Sequence, residues 1–145
     1  MDEIYKYDVN LQWNSDTKGI LSSPALQTKI EVATPPEFPK GMAGIWSPEH
    51  LFVASINSCL MATFLAIADN SRIEFINYQS RALGVVEKIE GKYIVTQITI
   101  EPTLTIPSTV SKERVMHLFE MSEKACAISN SIKSKINLAP IILVG

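Results

Sequence analysis

The sequence is poor in several residue types that mark particular classes of protein. Two cysteines and two histidines in 145 residues are too few, and too scattered, for a disulfide scaffold or a zinc site. A net charge of −2 provides no broad basic surface for nucleic acid or for an acidic membrane. No glycine-rich phosphate loop follows a predicted strand, and no basic and apolar leader begins at Met1. We therefore expect a cytoplasmic protein with no metal, no bound cofactor, no nucleic-acid partner and no membrane partner.

The longest apolar stretch predicts a helix over residues 47–69. Ser47 is a suitable N-cap, Pro48 fits the first helical position, and Glu49 places a negative charge at the positive end of the helix dipole. No residue from position 51 to 68 is charged. Such a run is long enough to cross a bilayer, but small polar residues dilute it. We therefore expect a helix buried on all sides in a protein core, partly by a second subunit.

The remaining patterns predict strands before and after this helix, and a second helix near the C-terminus. Alternation of apolar and polar residues, with turn residues between the runs, indicates strands at residues 5–13, 20–22, 27–32, 73–78, 80–89, 93–104 and 134–144. Helical spacing of apolar residues indicates a helix at residues 112–128. The order of elements predicts an α+β fold, in a single domain covering residues 1–145.

The two cysteines lie on the two predicted helices, and two interpretations of them are open. Free cysteine is often a small buried hydrophobe, so both could simply fill the core. Alternatively, the pair performs thiol peroxidase chemistry, in which a thiolate attacks a peroxide and a second thiol captures the sulfenic acid as a disulfide. The negative end of the second helix dipole would disfavour a thiolate at Cys126, so Cys59 is the better attacking residue.

Glu49 lies ten residues before Cys59, about 15 Å along the helix axis and about 80° around it. Its carboxylate therefore cannot touch the sulfur of its own helix. It faces the helix dipole as an ordinary first-turn acid, or orients a cation that reaches Cys59, or meets the cysteine of a second subunit.

Two segments together resemble the motifs of the OsmC/Ohr family. The first is Ser-Pro-Glu-His-Leu-Phe-Val-Ala-Ser-Ile-Asn-Ser-Cys, which ends at Cys59, and the second is Glu-Lys-Ala-Cys-Ala-Ile-Ser-Asn, which contains Cys126. The resemblance implies an intertwined homodimer with antiparallel sheets around two central helices. It also implies reduction of organic hydroperoxides with electrons from an external dithiol of the lipoyl type. Within it, Cys59 is the peroxidatic residue, Cys126 the resolving residue, and Glu49 the carboxylate that holds a catalytic arginine.

The sequence departs from the family pattern at two places. No arginine precedes Arg72, whereas the family takes its catalytic arginine from the N-terminal strands or from the loop before the first helix. Lys18 and Lys40 lie near those two locations, and Arg81 is a third candidate cation. Ala127 replaces the proline that usually follows the resolving cysteine. A lysine provides a point charge but lacks the planar fork of arginine.

Two hypotheses follow for the function. The first is a cysteine-based hydroperoxide reductase that forms a Cys59–Cys126 disulfide. The second is a dimer of the same fold that binds a small apolar ligand and keeps its cysteines for packing. An attacking cysteine requires a lowered thiol pKa, whereas a structural one does not.

Overall fold

A computed structural model describes residues 3–145, which form two compact units. The first unit ends at Leu51 and the second runs from Phe52 to Gly145. The elements in chain order are β1 (Asn10–Ser15), β2 (Lys18–Ser23), β3 (Leu26–Ala33), α1 (Pro48–Asn70), β4 (Asn77–Ile89), β5 (Lys92–Ile106), α2 (Lys112–Ala125), a short 3₁₀ turn (Ser129–Ser131), β6 (Lys135–Leu138) and β7 (Ile141–Val144). The α+β prediction is confirmed. The single domain stays a prediction.

The first unit contains the antiparallel sheet β1-β2-β3. The strand predicted at residues 5–13 is wrong in its first half, because β1 begins only at Asn10. The ladder with β2 starts with the pair Asn10 and Ser22, and β2 ends one residue later. Among the described residues, no strand lies beside residues 5–9, and alternation of apolar and polar residues alone does not form a strand.

The start of α1 agrees with the prediction. The Ser47 hydroxyl accepts a hydrogen bond from the His50 amide at 3.1 Å, and Ser47 is fully buried. The carbonyl of Ser47 accepts the first helical bond, from the Leu51 amide at 3.0 Å. Ser47 is therefore the N-cap and Pro48 the first helical residue.

The burial of α1 is narrower than predicted. Only one stripe, with a spacing of four residues, is buried in the chain: Ile56, Leu60, Phe64 and Ala68. The opposite side of the helix is exposed, including Met61, Ala62 and Ala66. By length and composition alone α1 could cross a membrane, a test that the core helix of a soluble protein also passes. The single chain therefore buries α1 on one side only, and the predicted cover by a second subunit stays a prediction.

The second unit has a sheet with β5 at its centre. The hairpin β4–β5 turns at Glu90 and Gly91, which both have positive φ, at 50° and 79°. Strand β4 begins at Asn77, so the separate strand predicted at residues 73–78 is wrong. The predicted strand at residues 134–144 is two strands, β6 and β7, which both run parallel to β5.

Two prolines lie where the last strand divides. Pro140 lies between β6 and β7, and Pro102 lies inside β5, between the residue pairs with β6, which end at Ile100, and those with β7, which begin at Thr103. A proline has no amide hydrogen to offer a neighbouring strand. On the opposite edge of β5, β4 pairs from Lys92 to Thr105, past Pro102.

Helix α1 packs closely on the sheet of the second unit at two points. At Gly84 of β4, an added Cβ would lie 2.5 Å from a Val53 methyl group. Nearby, the Ser80 hydroxyl donates to the Asn57 side chain at 2.6 Å. Further along, Phe64 of α1 stacks on Phe119 of α2 with ring centroids 4.1 Å apart. These contacts fix α1 between β4 and α2, which positions its cysteine.

Candidate active site

The site lies where α2 ends. The helix predicted at residues 112–128 ends at Ala125, because Cys126 has the extended dihedrals φ −70° and ψ 118°. The Cys126 carbonyl then accepts from the Asn130 amide at 3.0 Å, so a new helical turn begins at the cysteine. Cys126 thus caps α2 and also begins the next turn. The amides that follow it are first-turn donors without partners in their own turn.

Cys59 of α1 meets this turn. Both cysteines are free; Cys126 is buried and Cys59 is half-buried. Burial raises the pKa of the Cys59 thiol, but hydrogen bonds from the Cys126 thiol and from the Ile128 amide act against it. Further hydrogen bonds from the Thr63 hydroxyl and the Ala127 amide lower the pKa in the same sense. The balance sets the Cys59 pKa below its ordinary value.

The pKa of the Cys126 thiol shifts in the opposite direction, above its ordinary value. Burial raises the pKa of its thiol, and its hydrogen bond to Cys59 and the charge of that residue raise it further. The amides of Ser129 and Ile128 counteract this only in part. The hydrogen bond between the two thiols therefore lowers the pKa of Cys59 and raises that of Cys126. Of the two, Cys59 is the more acidic thiol and Cys126 is its hydrogen-bond donor.

Three contributors to this site were not among the predicted residues. Thr63 lies four residues after Cys59, a spacing that places both side chains on one face of α1 and could have indicated the contact. The amides of Ala127 and Ile128 gave no such signal, since a backbone donor has no residue type. Cys126 is the C-cap of α2, so it lies at the negative end of the helix dipole, where a thiolate is disfavoured.

Glu49 lies in the first turn of α1, as predicted. One of its carboxylate oxygens is buried and has no hydrogen-bond partner within residues 3–145. An ionised oxygen that is buried without a donor is unfavourable, so this position requires a partner that the described chain does not supply. Next to it, the His50 ring lies 2.7 Å from the Ser47 hydroxyl and packs edge-on against Trp46.

Of the three candidate cations, two form salt bridges with glutamates and the third is exposed. Lys18 pairs with Glu31 at 3.2 Å, and Arg81 pairs with Glu101 at 3.1 Å on the exposed side of β4. Lys40 is exposed and has a left-handed backbone, with φ 63°. None of the three is among the groups that shift the Cys59 pKa. Their role as cation partners stays a prediction.

The described residues hold no group of three or more histidine, cysteine or acidic side chains that could bind a metal ion.

The fold and the site together define a class of protein. It is an α+β protein with two free thiols in hydrogen-bond contact, one on a long helix and one at the end of a second helix. Residues 41–140 match the family model described as OsmC-like protein. The chain belongs to the OsmC-like family.

Individual relatives align with nearly the whole length of this chain. The protein YmaD of Bacillus subtilis is 23% identical over 143 residues, which cover 94% of this chain and 91% of YmaD. An OsmC-like protein of unknown function from Vibrio cholerae has a TM-score of 0.86 at 21% identity, covering 95% of this chain and all of its own. An organic hydroperoxide resistance protein from Elizabethkingia anophelis has a TM-score of 0.75 at 20% identity, with both chains fully covered. At these identities the structures share the fold.

Proposed function

We propose that this protein is a cytoplasmic thiol peroxidase that reduces organic hydroperoxides through Cys59 and Cys126. The observation that supports it best is the hydrogen-bonded thiol pair with opposite pKa shifts. A thiolate is the attacking form of cysteine, and a neighbouring thiol resolves the product. Family members called organic hydroperoxide resistance proteins share the fold, which supports the class of substrate.

The proposed cycle has three steps. The Cys59 thiolate attacks the peroxide, the O–O bond breaks, and the alkoxide leaves as an alcohol after taking a proton, which gives a Cys59 sulfenic acid. The Cys126 thiol then attacks that sulfur, releases water and forms the Cys59–Cys126 disulfide. Finally, an external dithiol of the lipoyl type reduces the disulfide and is itself oxidised to a disulfide. The amides of Ala127 and Ile128 stabilise the thiolate before the first step.

We further propose that the protein acts as a homodimer. Large apolar side chains of the first sheet are exposed in the single chain: Leu11 at 65%, Trp13 at 69% and Leu26 at 67%. The face of α1 opposite its buried stripe is uncovered as well. Exposed apolar area of this extent is typical of an interface. A partner subunit would also provide the hydrogen-bond donor that the buried Glu49 oxygen lacks within residues 3–145.

The alternative is a dimer of the same fold that binds a small apolar ligand and has structural cysteines. It predicts a Cys59 pKa at or above the ordinary value. The lowered Cys59 pKa argues against it. We therefore prefer the peroxidase.

Consumption of cumene hydroperoxide, with dihydrolipoamide as the reductant, tests the proposal. We expect turnover by the wild type and background consumption by Cys59→Ser. A Cys126→Ser variant should lose turnover with dihydrolipoamide but still react once per subunit. Background rates in the wild type and in both variants would reject the peroxidase in favour of the binding dimer.

A further inference from the structure

A cavity in the second unit lies apart from the cysteines. It has a volume of about 360 Å³ and lies where α1 ends and α2 begins. Its wall combines two arginines with hydroxyl, acidic and apolar side chains: Arg72, Ile73, Glu74, Thr109, Val110, Ser111 and Arg114. The chain has three arginines in all, so two of them lie in this one cavity.

Most hydrogen-bond donors of the two guanidinium groups have no acceptor among residues 3–145. Arg114 uses one nitrogen to donate to the Ser71 carbonyl at 2.7 Å, which fixes the side chain at the cavity and leaves its other donors available. Arg72 has no ion pair and no hydrogen bond from its side chain within residues 3–145. Glu74 lines the same cavity but forms a salt bridge with neither arginine. Two positive charges against one negative leave the cavity attractive to an anion.

We propose that this cavity binds a small phosphate monoester, whose phosphate group is held by Arg72 and Arg114. Two planar guanidinium groups match the oxygens of a phosphate better than a lysine ammonium would. The Thr109 hydroxyl adds a neutral donor, and the start of α2 adds the positive end of its dipole to the arginine charges. Ile73 and Val110 offer an apolar surface for the organic part, and the volume exceeds what a bare phosphate needs.

The backbone at Arg72 provides a means of separating binding from folding. Arg72 has φ 54°, in the left-handed region that favours glycine. Its amide donates to the Asp69 carbonyl at 3.1 Å, and the Ile73 amide donates to the Ala68 carbonyl at 2.9 Å. This is a Schellman ending of α1, in which glycine is the usual residue at the position of Arg72. Arg72→Gly therefore removes the guanidinium and relieves backbone strain at the same time.

Isothermal titration calorimetry with inorganic phosphate and with phenyl phosphate, in phosphate-free buffer at constant ionic strength, tests the proposal. We expect saturable binding of both to the wild type, with phenyl phosphate the tighter. Arg72→Gly should bind roughly tenfold more weakly or worse, because charge-assisted hydrogen bonds are lost, while its melting temperature without ligand stays equal or rises. Glu74→Gln should bind roughly two- to fivefold more tightly, because it removes a repelling charge.

The control is Arg81→Gln, which removes the one arginine outside the cavity. It should bind both ligands as the wild type does. The proposal is overturned if the wild type shows no saturable binding, if Arg72→Gly binds like Arg81→Gln, or if phenyl phosphate binds no more tightly than inorganic phosphate. The test does not involve the cysteines, so its outcome is independent of the peroxidase proposal.

Discussion

At the scale of single residues, the amide of Ala127 is the most informative feature of the site. The family motif usually has proline at this position, and a proline has no amide hydrogen to donate. In this chain Ala127 does donate to Cys59, which helps to lower the thiol pKa. Backbone donors therefore supply part of the thiolate stabilisation that a side-chain cation commonly supplies. We therefore expect the Ala127 amide to offset part of the charge that the missing arginine would supply.

Replacing Ala127 with proline tests this compensation. The extended backbone of Cys126 is compatible with a following proline, so the fold should persist. With one donor lost, the Cys59 pKa should rise, and the midpoint of the pH profile for alkylation of Cys59 should move to higher pH. The thiolate fraction at neutral pH then falls, and alkylation slows several-fold. Ala127→Gly keeps the donor and should retain the wild-type profile; equal profiles for all three proteins would contradict the role of this amide.

At the scale of elements, the approach of α1 to the sheet depends on Gly84. An added methyl group would lie 2.5 Å from a methyl group of Val53, whose branched side chain has little rotamer freedom. Cys59 follows Val53 by less than two turns on the same helix. A displacement of α1 at this point would therefore also move the thiol relative to the amides that follow α2.

We expect Gly84→Ala to destabilise the protein by roughly 1–3 kcal/mol through overpacking. The double variant Gly84→Ala/Val53→Ala should lose less stability than the sum of the two single variants, because shortening Val53 removes the clash. Chemical unfolding monitored by circular dichroism gives the three free energies. Strict additivity would show that the two residues do not limit the distance between α1 and the sheet.

The elements also show what the sequence alone could predict. The start of α1 was predictable because its cap, Ser47, acts within one turn. The end of α2 was not, because helical spacing continues beyond Ala125 while the chain itself turns at Cys126. The division of the last strand had a local signal that the prediction did not use, since Pro140 lies between β6 and β7. By contrast, residues 5–9 alternate, but no strand among the described residues lies beside them.

For the site, the sequence identified the two cysteines that the structure brings together, and the order of their roles stays a prediction. It did not identify Thr63 or the amides of Ala127 and Ile128, which act only because α1 meets the turn after α2. Motifs record residue types, whereas these donors depend on the contact between two elements. The sequence also does not identify a hydrogen-bond donor for the buried Glu49 oxygen, because that donor too depends on a contact between separate elements.

At the scale of the whole molecule, a single chain leaves apolar surface on α1 and on the first sheet uncovered. We expect the protein to sediment as a dimer. Ala62→Glu places a charge on the exposed face of α1, opposite the buried stripe, and should shift the equilibrium towards monomer because that charge would lose its hydration in an interface. Gln79→Glu adds the same charge at an exposed position of β4 and should leave the dimer intact. A monomeric wild type in sedimentation equilibrium would refute the dimer.

The central claim is that Cys59 attacks a peroxide and that Cys126 captures the product. Mass spectrometry tests it after reduced protein reacts with one equivalent of cumene hydroperoxide in the absence of any reductant. The account predicts a Cys59–Cys126 disulfide in the wild type and a trapped sulfenic acid on Cys59 in Cys126→Ser. Two unmodified thiols in the wild type, or oxidation that begins at Cys126, would contradict it.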